Sequence, residues 1–156
     1  MGKSCKSLVT GWATCKIIDG ENLHLTLKFL GEVDEKKLEK IKNKLRKIKL
    51  KLFESEIKDI GMFSDRIIWL RITNCNELQK QVDEVLGDMF EKENRFMGHL
   101  TIARVKEIKD KKKFRDNIKK IKIPEMKFIV ENFNLKKSKL GRPGPVYEVI
   151  EKYNLN

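Results

Sequence analysis

The most regular alternation of apolar and polar residues lies in LHLTLKFL, residues 23–30. Successive side chains of a strand point to opposite faces, so the leucines and Phe29 would share one face and the polar residues the other. The pattern predicts a half-buried strand with Phe29 in the core. On the polar face, His24 and Thr26 would present an imidazole and a hydroxyl side by side.

Three other segments carry apolar residues at spacings of three and four, which predicts amphipathic helices. The first follows Gly31 with Asp34 as its expected N-cap, and the second begins at an expected N-cap, Asn76. The third is a short basic helix over residues 110–121. The residues expected to face the core are Leu38, Ile41, Leu45 and Ile48, then Leu78, Val82, Val85, Leu86, Met89 and Phe90, then Phe114, Ile118 and Ile121.

The other ordered segments are predicted to be strands. Two β-rich runs, residues 55–63 and 65–73, are separated by a polar turn at Ser64 and Asp65 and indicate a hairpin. Further strands are predicted over residues 99–108, 125–138 and 145–155. Residues 1–15 show neither clean alternation nor a helical stripe, so no element is predicted there. Strand runs interrupted by two long helices favour an α+β fold with antiparallel sheets.

The composition predicts one domain over residues 1–156, because 40% of the residues are apolar and 37% are charged. No apolar run approaches the roughly 18 residues of a spanning helix, so we expect a soluble, cytoplasmic protein with no membrane partner. Cys5, Cys15 and Cys75 are odd in number and form no Cys-x-x-Cys pair. We therefore expect reduced, structural thiols, neither disulfides nor a zinc site.

The formal net charge is +12, which attracts polyanions and nucleic acid first among them. A Lys- and Glu-rich composition is also typical of proteins adapted to high temperature, whose surface ion pairs are solvated. Both interpretations stay open. Two basic segments could contact a phosphate backbone: residues 109–122, which are more typical of a solvated helix face, and residues 136–144, where Arg142 can reach outward from a Gly-Pro loop.

The only two histidines of the chain stand in the same context, His-Leu-Thr, 75 residues apart. This internal repeat predicts two similar lobes. Two imidazoles are a natural acid and base pair near neutral pH, and threonine hydroxyls can donate hydrogen bonds to anionic oxygens. The set suits in-line displacement at a phosphodiester, with one imidazole activating water and the other protonating the leaving oxygen. With no neighbouring ligand spacing, His24 and His99 would make a poor metal site.

These motifs resemble the two-histidine (2H) phosphoesterases, and within them the RNA 2′,3′-cyclic phosphodiesterases once called 2′-5′ RNA ligases. The resemblance runs from about Lys16 to the C-terminus and includes ENLHLTLKFLGE, HLTIARV and the closing LKKSKLGRPGPVYEVI. It implies a bilobal fold with a pseudo-twofold axis, two antiparallel sheets facing across a central cleft, and helices on the outer faces. It also implies opening of a ribose 2′,3′-cyclic phosphate to a 2′-phosphate without metal or cofactor, by a monomer acting on RNA or tRNA ends and cyclic nucleotides.

By the same resemblance, His24 would protonate the leaving oxygen and His99 would activate water. Thr26 and Thr101 would hold phosphate oxygens, and Arg104 would contact the phosphate. Strict alternation puts Arg104 on the face opposite His99, so its role requires a bulge or the end of the strand. The sequence does not separate hydrolysis from joining tRNA halves through a 2′-5′ linkage, and a noncatalytic RNA-binding module is the third alternative.

The two tryptophans could stack on bases, but apolar neighbours favour core packing for Trp69. The sequence leaves the role of Trp12 undecided.

Overall fold

The structure of the protein is a computed structural model that describes residues 7–142 and 144–156. Within these residues, three α-helices and two antiparallel sheets confirm the predicted α+β class. The arrangement of two lobes across a cleft stays a prediction. The elements are β1 (Ser7–Val9), β2 (Ala13–Ile17), α1 (Glu35–Leu45), β3 (Phe53–Phe63), β4 (Ile67–Ile72), α2 (Asn76–Val85), β5 (His99–Ile108), α3 (Lys111–Lys120), β6 (Met126–Val130), β7 (Asn132–Lys139) and β8 (Val146–Asn154).

The larger sheet has six strands in the order β1-β2-β5-β4-β3-β6, and β7 and β8 form a separate two-stranded sheet. The predicted hairpin is confirmed, because β3 and β4 pair around Ser64 and Asp65. Both turn residues have positive φ, 50° and 54°, which matches the tight turn of a twisted hairpin. In this sheet β5 is central and pairs with β2 on one edge and β4 on the other.

The chain divides into two compact units, each built from several segments. The first comprises the described residues up to Leu25 together with Ile57–Ile72 and His99–Met126. In this unit α3 packs on one face of the sheet, where Phe114 is fully buried. The buried core residues of the first unit are Ala13, Cys15, Ile68, Ala103, Phe114 and Ile118.

The second unit comprises Thr26–Glu56, Thr73–Gly98 and Lys127–Asn156. Helices α1 and α2 share a core there with the β7–β8 sheet. Its buried core residues are Ile41, Leu45, Leu78, Val82, Leu86, Phe133, Leu135, Tyr153 and Leu155. The apolar stripes predicted for the two helices therefore face this core.

The helix ends agree with the prediction at α1 and differ at α2. Asp34 caps α1, since its carboxylate accepts a hydrogen bond from the Lys37 amide at 2.7 Å. At α2 the expected cap Asn76 is already the first helical residue, and the N-cap position is taken by Cys75, whose side chain does not cap the helix. In α3, Phe114 and Ile118 are buried as predicted, but Ile121 lies past the last helical residue and is 45% exposed.

The prediction of a continuous strand over residues 23–30 is wrong, because Leu25 is the one residue of this segment that forms a β-bridge. The predicted burial of Phe29 is also wrong, since its side chain is 85% exposed. Lys28 is buried instead, at 7% exposure, and pairs with Asp83. Burial in this segment therefore does not follow the alternation of apolar and polar residues, because an ion pair is buried and a phenylalanine is exposed.

Two further strand predictions need correction. Residues 1–15 were expected to hold no regular element, yet Ala13–Ile17 form β2 against β5. Residues 125–138 were expected to form one strand, yet the chain breaks at Glu131 into β6 and β7, which belong to different sheets. Of the helices that the structure describes, none is long and apolar enough to cross a bilayer.

Cys15 and Cys75 are buried free thiols, and burial raises the pKa of both. Their burial agrees with a structural role for these two thiols. Cys5 lies outside the described residues.

Candidate active site

The second His-Leu-Thr motif opens β5, and the register of β5 with β4 fixes the directions of its side chains. His99 pairs with Arg71, and Thr101 pairs with Trp69. Residues directly opposite in an antiparallel pair share a face of the sheet. Because side chains two apart on a strand also share a face, these four side chains point to the same side.

A bulge in β5 brings Arg104 to this side as well. The register advances by one residue on β4, from Ile68 to Trp69, but by two on β5, with Ile102 as the extra residue. Beyond the bulge Arg104 pairs with Ile67, two residues from Trp69 on β4. The bulge that strict alternation required is therefore present. We call this side of the sheet the motif face, and its members on these two strands are His99, Thr101, Arg104, Ile67, Trp69 and Arg71.

The first motif lies beside the second through a backbone bridge. Leu25 forms an antiparallel bridge with Leu100, on the edge of β5 away from β4. His24 and Thr101 directly adjoin this bridged pair, so the bridge brings the backbones of the two motifs together. A site shared by His24 and His99 stays a prediction.

A hydrogen bond fixes the tautomer of His24. Its Nδ1 donates to the carbonyl oxygen of Asn22 at 2.7 Å. A carbonyl oxygen only accepts, so this contact requires the proton of the neutral ring to be on Nδ1. Asn22 ends a 3-10 turn, Gly20–Asn22, in which its own amide donates to the carbonyl of Asp19. Asn22 is not among the residues predicted from the sequence, where its only signal is its position two residues before the histidine.

His99 packs against Phe63, the last residue of β3, which sequence analysis also missed. The two rings are nearly perpendicular, at 87°, with centroids 5.1 Å apart. Such aromatic pairs contribute about 0.5–1.5 kcal/mol beyond the area they bury. Phe63 is 38% exposed, so it contacts the imidazole and also leaves open apolar surface beside it. Its position immediately before the hairpin turn was the signal available in the sequence.

The two tryptophans serve the core. Trp69 is buried as predicted, and its ring lies so close to Gly61 that a Cβ there would be 2.4 Å from it. Trp12 packs against the core of the first unit, with its ring centroid 5.9 Å from that of Phe114. Neither contact supports base stacking by these residues.

The remaining predicted site residues have distinct places. Thr101 lies on the motif face opposite Trp69 and follows Leu100, the residue that Leu25 bridges. Thr26 directly follows the bridged Leu25 and is the first residue of the second unit.

Cations are concentrated on the motif face. Besides Arg104 and Arg71, it receives Lys16 of β2, which pairs with Arg104 across the other edge of β5. Asp59 lies 3.7 Å from Arg71, and both side chains are largely exposed. Within residues 7–142 and 144–156, no three His, Cys, Asp or Glu side chains are grouped so that they could hold a metal ion. The arrangement suits an anionic ligand held by cations and hydroxyls.

The two basic segments are placed on other elements. Residues 109–122 include α3, and its Arg115 is occupied by a hydrogen-bonded ion pair with Asp65. Residues 136–144 include the end of β7, where Lys139 pairs with Glu148 at 2.8 Å, and Arg142 is exposed. Contact of either segment with RNA stays a prediction.

Curated relatives of the chain share one description. A protein of Methanocaldococcus jannaschii named RNA 2′,3′-cyclic phosphodiesterase is 44% identical over 149 residues, which cover 88% of this chain and 83% of the relative. A Thermotoga maritima protein of the same name is 36% identical, over 85% of this chain and 75% of the relative.

Solved structures show the same fold. A Thermus thermophilus protein matches with a TM-score of 0.72 at 24% identity, over 90% of this chain and 81% of that chain. Escherichia coli LigT in its apo form matches with a TM-score of 0.71 at 23% identity, over 89% and 79% of the two chains. At these identities the likeness concerns the fold alone.

The family comparison covers most of the sequence. The family model described as LigT like Phosphoesterase matches residues 8–69 and 72–147, which include both His-Leu-Thr motifs and Arg104. With the relatives above, this match identifies the chain as a member of the LigT-like phosphoesterases of the two-histidine superfamily.

Proposed function

We propose that the protein hydrolyses the 2′,3′-cyclic phosphate at RNA ends to a 2′-phosphomonoester. The name shared by its curated relatives supports this activity. A LigT structure complexed with 3′-AMP supports a nucleotide as the ligand class. The relevant partners are RNA or tRNA ends and cyclic nucleotides.

The chemical step balances with the two imidazoles alone. His99 takes a proton from water, and the water oxygen forms a bond to phosphorus. The bond between phosphorus and the ribose 3′-oxygen breaks, and His24 delivers a proton from Nε2 to that oxygen. The products are a 2′-phosphate and a 3′-hydroxyl. After turnover His99 is protonated and His24 is neutral, so exchange of one proton with solvent at each ring restores the starting state.

The other site residues stabilise the crowded phosphorus. Thr26 and Thr101 donate hydroxyl hydrogen bonds to the nonbridging oxygens, where negative charge accumulates in the transition state. Arg104 offers a planar fork of N–H donors that matches phosphate geometry.

The main structural support for this proposal is the backbone bridge between Leu25 and Leu100. It joins the two motifs by backbone pairing at Leu25 and Leu100, which supports a site that His24 and His99 share. Separate surface histidines would not need that pairing. The bulge at Ile102 turns Arg104 to the motif face, the side of the sheet to which His99 belongs.

Product analysis in EDTA tests the proposal. Purified protein is incubated with an oligoribonucleotide that ends in a 2′,3′-cyclic phosphate, and the phosphate position is read by ³¹P NMR and by digestion with a 3′-specific phosphatase. A 2′-phosphate product is expected. A 3′-phosphate, no product from folded protein, or a joined 2′-5′ product as the main outcome would contradict hydrolysis as proposed.

A further inference from the structure

We propose that Arg71 binds the phosphodiester adjoining the cyclic phosphate, so that the site selects RNA ends over isolated nucleoside 2′,3′-cyclic phosphates. The inference rests on the function proposed above and specifies the substrate of the same site. It assigns a recognition role to a residue that carries no part of the chemical step.

Arg71 stands directly opposite His99 in the β4–β5 register. Opposed residues of an antiparallel pair have Cα atoms about 4.5–5.5 Å apart and side chains on one face. Nearly half of the Arg71 side chain, 48%, is exposed. Arg71 thus stands on the motif face opposite His99, with a side chain that is accessible to a ligand.

The described partner of Arg71 holds it weakly. Its Nε lies 3.7 Å from Oδ2 of Asp59, whose side chain is 66% exposed. Exposed ion pairs of this kind contribute about 0–1 kcal/mol. A phosphate offers the guanidinium two charge-assisted hydrogen bonds in parallel, which are shorter and stronger. A bound phosphate can therefore displace Asp59.

The motif face has room for two phosphates because its two arginines lie at different positions along the sheet. Arg104 pairs with Ile67, which is four residues from Arg71 on β4. At about 3.3 Å per residue this is about 13 Å. Arg104 is assigned to the reacting phosphate, which leaves Arg71 for another. A terminal nucleotide has one neighbouring phosphodiester, on its 5′ side, and a nucleoside 2′,3′-cyclic phosphate has none.

Two substrates that differ by one group isolate this contact: adenosine 2′,3′-cyclic phosphate with a 5′-hydroxyl, and the same compound with a 5′-phosphate. We expect kcat/KM of the wild type to be about tenfold higher with the 5′-phosphate, the effect of one charge-assisted contact at a partly exposed site. In Arg71→Gln this ratio should fall to near one. Arg71→Lys keeps the positive charge but lacks the planar set of guanidinium N–H donors, so it should give an intermediate ratio.

Lys113→Gln is the matched control, because Lys113 also pairs with an exposed carboxylate at 3.7 Å, Asp110, but lies on α3. Helix α3 packs with Ala103 and Ile68, on the sheet face opposite the motif face. The control should keep the wild-type ratio. Asp59→Asn removes the competing carboxylate and should raise the ratio above that of the wild type.

The outcomes separate this inference from the proposed function. Turnover of both substrates with a wild-type ratio of one, or an unchanged ratio in Arg71→Gln, overturns the role of Arg71 and leaves the activity standing. Turnover of neither substrate by folded wild type overturns the activity and this inference with it. Titration of the 2′-phosphate products, with and without the 5′-phosphate, should show the same loss of discrimination in Kd for Arg71→Gln.

Discussion

His24 and His99 have different surroundings although their motifs are the same. The Nδ1 atom of His24 is committed to a backbone carbonyl, whereas His99 packs against the ring of Phe63. Different surroundings suit different protonation roles, as an acid and base pair requires. The assignment of acid to His24 and base to His99 can be tested separately from activity itself.

A substrate with a good leaving group tests that assignment. Bis(4-nitrophenyl) phosphate releases 4-nitrophenolate, which needs no proton from an acid. For His24→Ala, the loss relative to wild type should be at least about tenfold smaller with this ester than with an RNA 2′,3′-cyclic phosphate. His99→Ala should lose activity toward both substrates to a similar extent. Equal losses of both variants on the aryl ester would show that the roles are wrongly assigned.

Lys28 shows where a hydropathy pattern stops being informative. Its ammonium donates to the Asp83 carboxylate and to the carbonyl of Glu91 at 2.7 Å, and Asp83 also accepts from Gln79 and the Glu93 amide. Burial alone raises the pKa of Asp83, but these hydrogen bonds outweigh it and the pKa lies below its ordinary value. The partner of Lys28 is 55 residues away, so no local pattern predicts that Lys28 is buried while Phe29 is exposed.

Removal of the Lys28 ammonium should destabilise the protein strongly. Lys28→Met leaves the Asp83 carboxylate, 1% exposed, without its counter-charge, and we expect a loss of about 3–5 kcal/mol in the free energy of unfolding. Lys42→Met is the control, because its pair with Glu39 is at the surface and should cost less than about 1 kcal/mol. Urea denaturation measures both. Equal small losses would contradict a structural role for the buried pair.

At the scale of elements, the sequence predicted the helices and the hairpin well and the motif strands incompletely. Amphipathic spacing is a local signal, and α1, α2 and α3 follow it because each buries one stripe. The bulge at Ile102 has no local signal, since an extra residue in a strand changes only its register with β4. Strict alternation shows that Arg104 needs a bulge to reach the face of His99, but nothing in the local sequence shows that one is present.

The hairpin turn is tied to α3 by Asp65, and this contact should depend on pH. Hydrogen bonds from Arg115 lower the pKa of Asp65 to about 2 against the opposing effect of burial, with a further contribution from Lys111. A carboxylate whose pKa is lowered by folding stabilises the protein above its unfolded pKa, about 4. That contribution is lost as pH falls from about 4 to 2.

The variant Asp65→Asn tests this contribution without disturbing the turn, because Asn tolerates the positive φ of 54° at this position. The difference in unfolding free energy between wild type and variant should be constant from pH 7 to about pH 5 and shrink below about pH 4. Arg115→Gln should show the same loss. A difference that does not change down to pH 2 would contradict the ion pair.

At the scale of the whole molecule, the net charge of +12 left two interpretations open, attraction of nucleic acid and adaptation to high temperature. The cations of the motif face favour the first interpretation for part of that charge. Lys16, Arg71 and Arg104 gather there because of strand register, which composition does not reveal. Many other lysines pair with nearby carboxylates, as at Lys44 with Asp88, which suits the solvated ion pairs of the other interpretation. The positive charge is therefore of two kinds: cations grouped on the motif face and lysines in surface ion pairs.

The concentration of cations predicts a salt dependence that grows with substrate length. Each phosphate contact with a single strand releases counterions, so log kcat/KM should fall with log salt concentration, and the slope should steepen by about 0.7 for each added contact. We expect a steeper slope for a six-nucleotide RNA than for a nucleoside 2′,3′-cyclic phosphate. Equal slopes would mean that the protein contacts only the terminal phosphate.

The central claim is that the two His-Leu-Thr motifs form one acid and base site. The most direct measurement is kcat/KM of the wild type, His24→Ala, His99→Ala and the double variant on an oligoribonucleotide 2′,3′-cyclic phosphate, with circular dichroism to establish folding. Each single variant should lose about 10²–10⁴-fold, and the double variant should lose little more than the weaker single variant, because groups that act as a unit are not additive. Full activity of either folded single variant would contradict the claim.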